Sequence, residues 1–454
     1  MSKVKEFDLN IEKVLDNWEI RHAVRELIAN AFDEQILTGS SEVEISKDGT
    51  GRWHVRDYGR GLNYRHLTQN ENPEKLSDKR VIGKFGVGLK DALATFDRHG
   101  VGVEIESRHG IFTIKHARKA GFDDIVTLHV GIAPAKDADF AGTDCILTDC
   151  PDEEMEGAKE FFLKFAELEL YESTKYGEIY RADGMPAIYV NGIKIAEEPN
   201  FAFSYNITKP TESLRKALNR ERTNVGRGAY TDRIKDILME AKSDAVCDEM
   251  LEELKRFTSG EQKEELKWLD VQLRFIWLLD KRGNVVFVTA SEYGEVSGRT
   301  REIVEDSGKE IVYIPDAAMA KLRVSDGTIT DIGVVQAEYM ESFEYDFVEP
   351  GDLSEAELKN YGLIGDVVEK VFPRFGGEIL ISEKLRTIDD GTRGVCEGLG
   401  ARIIILREVL GSRSGFMGTL AHELIHAKSG ASDCSRAFEN ALTECIGELL
   451  AGGC

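Results

Sequence analysis

The chain has 454 residues, 42% hydrophobic and 31% charged, which is the composition of a globular protein with room for two to four domains. No apolar run approaches the roughly 20 residues needed to span a bilayer, and the first residues lack the apolar core of a signal peptide. The formal charge of −24 disfavours non-specific nucleic-acid binding, which depends on Lys and Arg. Seven scattered cysteines indicate reduced thiols. We therefore expect a cytoplasmic protein with protein or small-molecule partners, and neither nucleic acid nor membrane.

The first informative stretch, Glu26 to Glu34, predicts an amphipathic helix because its apolar residues recur at helical spacing. Glu26 and Asn30 lie four residues apart, so they share one face of that helix. A carboxylate beside a carboxamide can activate a water and ligate a magnesium ion together. The alternative is an ordinary surface helix with its charged residues in solvent.

Two glycine clusters follow. The first is Asp57-Tyr-Gly-Arg-Gly61, and the second, Gly83-Lys-Phe-Gly-Val-Gly-Leu-Lys90, leads into a predicted helix at Leu89 to Phe96. Glycines at this density let a backbone approach phosphate closely with its N–H groups exposed. The N-terminus of the following helix also favours an anion.

In this order the three segments resemble the GHKL ATPases, which include gyrase, MutL, the MORC proteins, the large heat-shock chaperone and the histidine kinases. The resemblance implies a Bergerat α/β sandwich in which Glu26 is the general base for ATP hydrolysis and Asn30 holds magnesium. It also implies that Asp57 accepts from the adenine amino group. The residues that the resemblance implies for binding ATP are Asn30, Asp33, Asp57, Gly59, Gly61, Gly83, Lys84, Phe85, Gly86, Val87, Gly88, Leu89, Lys90 and Thr143.

The segment Tyr189-Val-Asn-Gly192 resembles the transducer domain that follows the ATP site in this family. A transducer usually supplies a basic residue to the γ-phosphate, and three candidates remain open: Lys216, Arg220 and Arg222. Residues 231–267 predict one long charged helix that is interrupted at 259–260. Residues 271–289 predict a β-hairpin.

A second motif, His422-Glu423-x-x-His426, lies on a predicted apolar helix that ends at Gly430. Two imidazoles at positions i and i+4 can chelate one zinc, and Glu423 can take a proton from water. After His129 the chain has no histidines outside this motif, which favours zinc binding over a buried structural pair.

This part resembles the gluzincin metallopeptidases, whose third zinc ligand is a glutamate early in the next helix. Glu439 fits that place best, while Asp433 and Glu444 remain alternatives. The segment from Arg402 to Leu410 is a candidate edge strand to which a peptide substrate adds.

The predicted fold is an α/β (α+β) multidomain protein. Its domains are a GHKL ATPase at 1–150, a transducer-like domain at 151–240, a helical linker with a small β-containing region at 241–345, and a zincin-like metallopeptidase at 346–454. The predicted function is protein cleavage gated by ATP, with ATP, Mg²⁺ and Zn²⁺ as cofactors and a homodimer formed through the ATPase domain. The alternative is an ATP-driven clamp, chaperone-like or DNA-acting, with a structural zinc site.

Overall fold

The computed structural model describes residues 5–9, 17–68, 75, 78, 80–81, 88–119, 125–218, 225–324, 329–398 and 400–451. The chain divides into two compact units, Met1–Arg256 with Gly260–Phe275 and Phe257–Ser259 with Ile276–Cys454. Both units combine sheets with helices, so the predicted α/β multidomain class is confirmed. The boundaries of the four predicted domains stay predictions. Within the described ranges, no helix is long and apolar enough to cross a membrane.

The first unit begins with a seven-stranded antiparallel sheet of order β1-β6-β5-β4-β7-β3-β2. Its strands are β1 (Lys5–Asp8), β2 (Glu44–Lys47), β3 (Trp53–Asp57), β4 (Gly102–Ser107), β5 (Gly110–Arg118), β6 (Val126–Ala133) and β7 (Thr143–Thr148). The helices in this part of the chain are α1 (Ile20–Thr38), α2 (Tyr64–Thr68) and α3 (Gly88–Arg98). Helix α1 packs against α3 and β3, and α3 packs against β4.

Helix α1 is buried along most of its length. It begins after Glu19, whose N–H donates to His22 Nδ1 at 3.1 Å, and it ends at Gly39 in the left-handed conformation with φ 64°. Its buried residues include the charged side chains of the motif, with Glu26 4% and Asp33 0% exposed. The alternative of a surface helix with these charges in solvent is therefore wrong.

A second sheet in this unit has five strands in the order β11-β10-β12-β9-β8, with β10 and β12 parallel and the other pairs antiparallel. Its strands are β8 (Leu170–Ser173), β9 (Gly177–Arg181), β10 (Ala187–Val190), β11 (Ile193–Glu197) and β12 (Phe203–Ile207). The helices from residue 152 to 282 are α4 (Asp152–Lys159), α5 (Glu212–Ala217), α6 (Thr231–Glu240), α7 (Asp244–Lys255), α8 (Glu264–Lys267) and α9 (Leu269–Arg282).

Two predictions for residues 231–289 are wrong. The predicted long helix breaks before α7, which is capped by Ser243 Oγ accepting from the Val246 N–H. The first strand of the predicted hairpin lies inside α9. Gln272 and Arg274 give the start of this segment the alternation of a strand. Its fully buried residues nevertheless fall at helical spacing: Val271, Phe275, Ile276 and Leu279.

The second unit contains a two-stranded parallel sheet and a three-stranded sheet. The strands are β13 (Val285–Thr289), β14 (Glu310–Ile314), β15 (Glu378–Ser382), β16 (Gly394–Glu397) and β17 (Arg402–Leu406). The helices are α10 (Gly298–Asp306), α11 (Asp316–Val324), α12 (Ile332–Ser342), α13 (Glu355–Tyr361), α14 (Ile364–Val371), α15 (Arg413–Ser429) and α16 (Arg436–Ala451). Helix α15 packs against α14, α16, β16 and β17.

The three-stranded sheet has the order β15-β17-β16. Strand β17 is therefore the central strand, paired in parallel with β15 and antiparallel with β16, and the prediction that it is an edge strand is wrong. Its continuous isoleucine run is buried, as expected for a strand covered on both faces. The edge beside α15 belongs to β16.

Candidate nucleotide site and candidate metal centre

Glu26 lies between a buried arginine and the start of helix α3. The Arg25 Nε and Nη2 atoms donate to Glu26 Oε1 at 3.3 and 3.2 Å. The Arg25 guanidinium, 1% exposed, lies over the rings of Trp18 and Phe161. On the other side, a Cβ at Gly88 would lie 2.4 Å from Glu26 Oε2. The carboxylate is thus held at the N-terminal end of α3, where backbone N–H groups favour an anion such as phosphate.

Asn30 and Asp33 share a cationic partner. Lys75 Nζ donates to Asn30 Oδ1 at 3.0 Å and to Asp33 Oδ2 at 2.9 Å. The two acceptors are carboxamide and carboxylate oxygens, the donor types that Mg²⁺ prefers. The donor set therefore fits the magnesium ion that the resemblance implies for Asn30.

Asp57 lies at the end of β3, directly across from Thr143 on β7. Its Oδ1 atom accepts from the Gly59 N–H at 2.8 Å. Burial raises the pKa of the Asp57 carboxyl, against the opposing hydrogen bonds from Gly59 and Thr143. Gly142 comes so close that a Cβ would lie 1.9 Å from the Asp57 carbonyl oxygen. The structure thus brings Asp57, Gly59 and Thr143 together.

Glu34 supports the first glycine cluster from α1. Its carboxylate accepts from the Arg60 N–H at 2.9 Å and from Arg60 Nε at 2.8 Å. A Cβ at Gly59 would lie 2.4 Å from Glu34 Cγ. Gly61 has φ +86°, and a Cβ there would lie 3.0 Å from the Gly142 carbonyl oxygen. This close packing explains why the cluster needs glycine at both positions.

Part of the predicted phosphate-binding segment lies outside the described residues, namely Gly83, Lys84, Phe85, Gly86 and Val87. Gly88, Leu89 and Lys90 form the half-buried first turn of α3. Of the three basic candidates for the γ-phosphate, Arg220 and Arg222 also lie outside the described residues. Lys216 forms an exposed ion pair with Glu212 at 2.8 Å.

The HExxH motif lies on α15 as predicted. Ser412 Oγ accepts from the Gly415 N–H at the start of this helix, and Gly430 ends it with φ 67°. Phe416, Leu420 and Leu424 are fully buried, so the apolar face of α15 forms part of the core. This packing fixes the orientation of the opposite face of the helix.

His422 and His426 converge with Asp433. Asp433 Oδ1 lies 3.0 Å from His422 Nε2 and 3.2 Å from His426 Nε2, and the two Nε2 atoms are 3.0 Å apart. His426 Nδ1 donates to the Ala431 carbonyl at 2.7 Å, which orients its Nε2 toward the shared point. Both imidazoles pack against Phe438. Two imidazole nitrogens and one carboxylate oxygen fit a zinc ion with a fourth position open.

The structure does not bring Glu439 into this group. Among the described residues, the His, Asp, Glu and Cys side chains that converge closely enough to hold a metal are His422, His426 and Asp433. Glu439 and Glu444 are exposed on α16. The prediction of Glu439 as the third ligand is therefore wrong, and Asp433, one of the two alternatives, takes its place in the group.

Glu423 is buried beside strand β16. It is 6% exposed, and burial raises the pKa of its carboxyl to about 7. A Cβ at Gly394 would lie 2.8 Å from Glu423 Cγ and 3.0 Å from Oε1. The first residue of the edge strand thus lies directly against the motif glutamate.

Two family models match the chain between residues 16 and 244. Residues 16–128 match the family described as histidine kinase-, DNA gyrase B- and HSP90-like ATPase. Residues 153–244 match the family described as the Mycoplasma pneumoniae MPN635 N-terminal domain. An uncharacterised protein of Mycoplasma pneumoniae is 40% identical over 236 residues, which are 51% of this chain and 95% of that protein. The chain belongs to the family of this Mycoplasma protein.

A second uncharacterised Mycoplasma pneumoniae protein is 24% identical over 346 residues, 70% of this chain and 98% of that protein. The ATPase-domain match confirms the GHKL part of the resemblance and implies ATP as the ligand of this member of the Mycoplasma family. Both family matches end before residue 245, so zinc binding and proteolysis at the HExxH motif remain predictions.

The sequence did not predict two residues beside the candidate nucleotide site of this Mycoplasma-family chain, Arg25 and Lys75. Arg25 carries only a weak signal, because the sequence shows that it is adjacent to Glu26 but not that both side chains are buried. Lys75 carries none, because it lies about 40 residues from its partners and belongs to no motif.

Proposed function

We propose that the chain is an ATP-regulated zinc metallopeptidase, in which ATP binding and hydrolysis by the GHKL domain gate cleavage of a protein substrate at the HExxH helix. The observation that carries the peptidase half is the convergence of His422, His426 and Asp433 beside the buried carboxyl of Glu423. The ATPase half is supported by the family match at residues 16–128.

In the nucleotide site, Glu26 would take a proton from the water that attacks the γ-phosphate. Its position against Gly88 places this base beside the N-terminal end of α3, which would bind phosphate oxygens. Asn30, with Asp33 beside it, would hold magnesium, which neutralises charge on the phosphates when bound. Asp57 would accept from the adenine amino group.

In the second site, His422, His426 and Asp433 would hold zinc, which polarises the scissile carbonyl when bound. Glu423 would take a proton from the attacking water and return it to the leaving amine. The Glu423 side chain lies between its own helix, α15, and Gly394. This position limits the access of the carboxyl to bulk water and holds it at one end of β16.

Among the strands that the structure describes, β16 pairs only with β17, and its other edge suggests where a substrate chain binds. The Leu406 N–H donates to the Arg393 carbonyl, so in this antiparallel pair Arg393, Val395 and Glu397 direct their N–H and C=O groups toward β17. Gly394 and Cys396 direct theirs to the opposite side. An extended peptide that paired with Gly394 would pass beside Glu423.

The proposed coupling and the proposed homodimer rest on the family resemblance and on the presence of both sites in one chain. Glu26→Ala and Glu423→Ala separate the two halves. We expect Glu26→Ala to abolish ATP hydrolysis, trap the ATP-bound state and change the rate at which labelled casein is cleaved. Glu423→Ala abolishes cleavage and spares ATP hydrolysis.

Metal analysis by mass spectrometry comes first because it needs no substrate. About one zinc per chain, lost in His422→Ala, supports the second site. An unchanged cleavage rate in Glu26→Ala would remove the coupling. Absence of zinc from the wild type would leave the ATP-driven clamp as the better proposal.

A further inference from the structure

The ammonium of Lys75 lies between the two side chains that face the proposed magnesium position. It donates to Asn30 Oδ1 at 3.0 Å and to Asp33 Oδ2 at 2.9 Å. Lys75 is largely buried, with 16% of its side chain exposed, and Asp33 is fully buried. This is therefore a desolvated ion pair rather than a surface one, and water screens it weakly.

A carboxylate buried to this degree is stable only beside a compensating cation or strong donors. The same oxygens that receive the Lys75 ammonium are suited to a divalent cation. An ammonium and a magnesium ion cannot both lie within about 3 Å of Asn30 Oδ1, because two positive charges that close in a desolvated site repel strongly.

We propose that Lys75 is an internal cation that fills the divalent-cation position of the nucleotide-free protein and leaves it when Mg²⁺ enters. This inference rests on the proposed magnesium role of Asn30. It makes Asp33 part of the cation site, and it makes Mg²⁺ a competitor of a residue of the same chain. Magnesium then binds only the fraction of molecules in which Lys75 has moved away.

The competition raises the apparent dissociation constant for Mg²⁺, which equals the intrinsic value divided by the fraction of molecules with an open site. Nucleotide phosphates lower this barrier, because they give the displaced ammonium a second anionic partner. The nucleotide and the metal therefore bind cooperatively, with Lys75 as the group that links them.

The test uses Lys75→Met, which removes the charge and keeps most of the side-chain length. With Mg²⁺ alone as the ligand, the melting temperature of wild type should change little, whereas that of Lys75→Met should rise as Mg²⁺ is added. With a fluorescent ATP analogue, half-saturating Mg²⁺ should fall by at least about fivefold in Lys75→Met, the lower end of typical coupling between two ligands.

Two further variants control this experiment. Lys75→Arg keeps the charge and should behave as wild type. Lys194→Met removes a lysine of similar exposure, 20%, whose Nζ pairs with Glu197 at 2.8 Å on another sheet, and it should leave the Mg²⁺ dependence unchanged. If Lys75→Met does not fold, Lys75→Gln replaces it in the experiment. This variant keeps a donor but no charge, so the same change in Mg²⁺ dependence is expected.

Unchanged Mg²⁺ dependence in a folded Lys75→Met would overturn the inference. So would an equal loss of analogue affinity with Mg²⁺ and with EDTA, which would make Lys75 a phosphate ligand. The titration with Mg²⁺ alone does not require nucleotide binding. Failure of the analogue to bind any variant would instead count against the proposed ATP site.

Discussion

The Arg25 guanidinium holds the Glu26 carboxylate from within the core of the first unit, by two hydrogen bonds of 3.3 and 3.2 Å. Two aromatic rings fix the guanidinium in turn. The proposed general base therefore has one oxygen tied to the core and the other at the start of α3. This relationship makes Arg25 a positioning residue.

We expect Arg25→Met to lower the rate of ATP hydrolysis by roughly 100-fold, the cost of misplacing a reacting group by about 1 Å, while nucleotide affinity stays near that of wild type. The variant should also lose about 3 kcal/mol of unfolding free energy, because one partner of a buried ion pair is removed. Urea unfolding measures this loss. The double variant with Glu26→Gln should recover most of it, and failure to do so would show that the two residues are not energetically coupled.

Gly88→Ala tests the close approach of α3 to Glu26. A Cβ at this position would lie 2.4 Å from Glu26 Oε2, and the contact is with the far end of a flexible side chain, so the carboxylate moves and the fold is kept. We expect steady-state ATP hydrolysis to fall by more than about tenfold with little change in melting temperature. Gly49→Ala is the matched control, because a Cβ there meets nothing within 4 Å. Equal activity of the two variants would contradict the assignment of Glu26.

Substitutions of Asp433 and of Glu439 should affect zinc binding differently. Asp433→Asn should weaken zinc binding by more than about 10-fold, the smallest usual cost of losing even an outer-shell partner, because it removes a carboxylate that both imidazoles face. Glu439→Gln should leave zinc binding unchanged. Competition with a chromophoric chelator measures the zinc affinity of both variants. The reverse result would support Glu439 as the third ligand.

We expect the folding stability to depend on pH through the buried carboxyl of Glu265. Burial raises its pKa from 4.5 to about 7, against hydrogen bonds from the Tyr205 hydroxyl and the Ala202 N–H. A carboxyl whose pKa is raised in the folded state binds more protons there than in the unfolded chain, so its contribution to the unfolding free energy falls as pH rises from about 4.5 to about 7.

At pH 8, the free energy of unfolding of Glu265→Gln, measured with urea, should therefore exceed that of wild type by up to about 3 kcal/mol. This difference should shrink toward pH 5. Glu261→Gln, at an exposed position, is the control and should show no such trend. A difference that is constant between pH 5 and pH 8 would exclude titration of Glu265 as its source.

Features of this protein that depend on local spacing are predictable from the amino-acid sequence. Residues four apart on a helix share a face whatever surrounds them, so the pairs Glu26 with Asn30 and His422 with His426 are predictable without the fold. Asp57 with Gly59 and Gly61 is likewise predictable, because closely spaced glycines let a backbone approach phosphate and because the motif resembles that of the GHKL ATPases.

Features that depend on contacts between distant segments require the folded structure. Lys75 lies 45 and 42 residues from Asn30 and Asp33, and Asp433 lies between α15 and α16. No periodicity in the sequence predicts that either residue reaches its partners. Strand order placed β17 in the centre and β16 at the edge, because pairing between strands depends on the whole sheet. Helix α9 differs from the predicted strand for the same reason, since a short segment with both alternating and continuous apolar residues takes its conformation from the core in which it is buried.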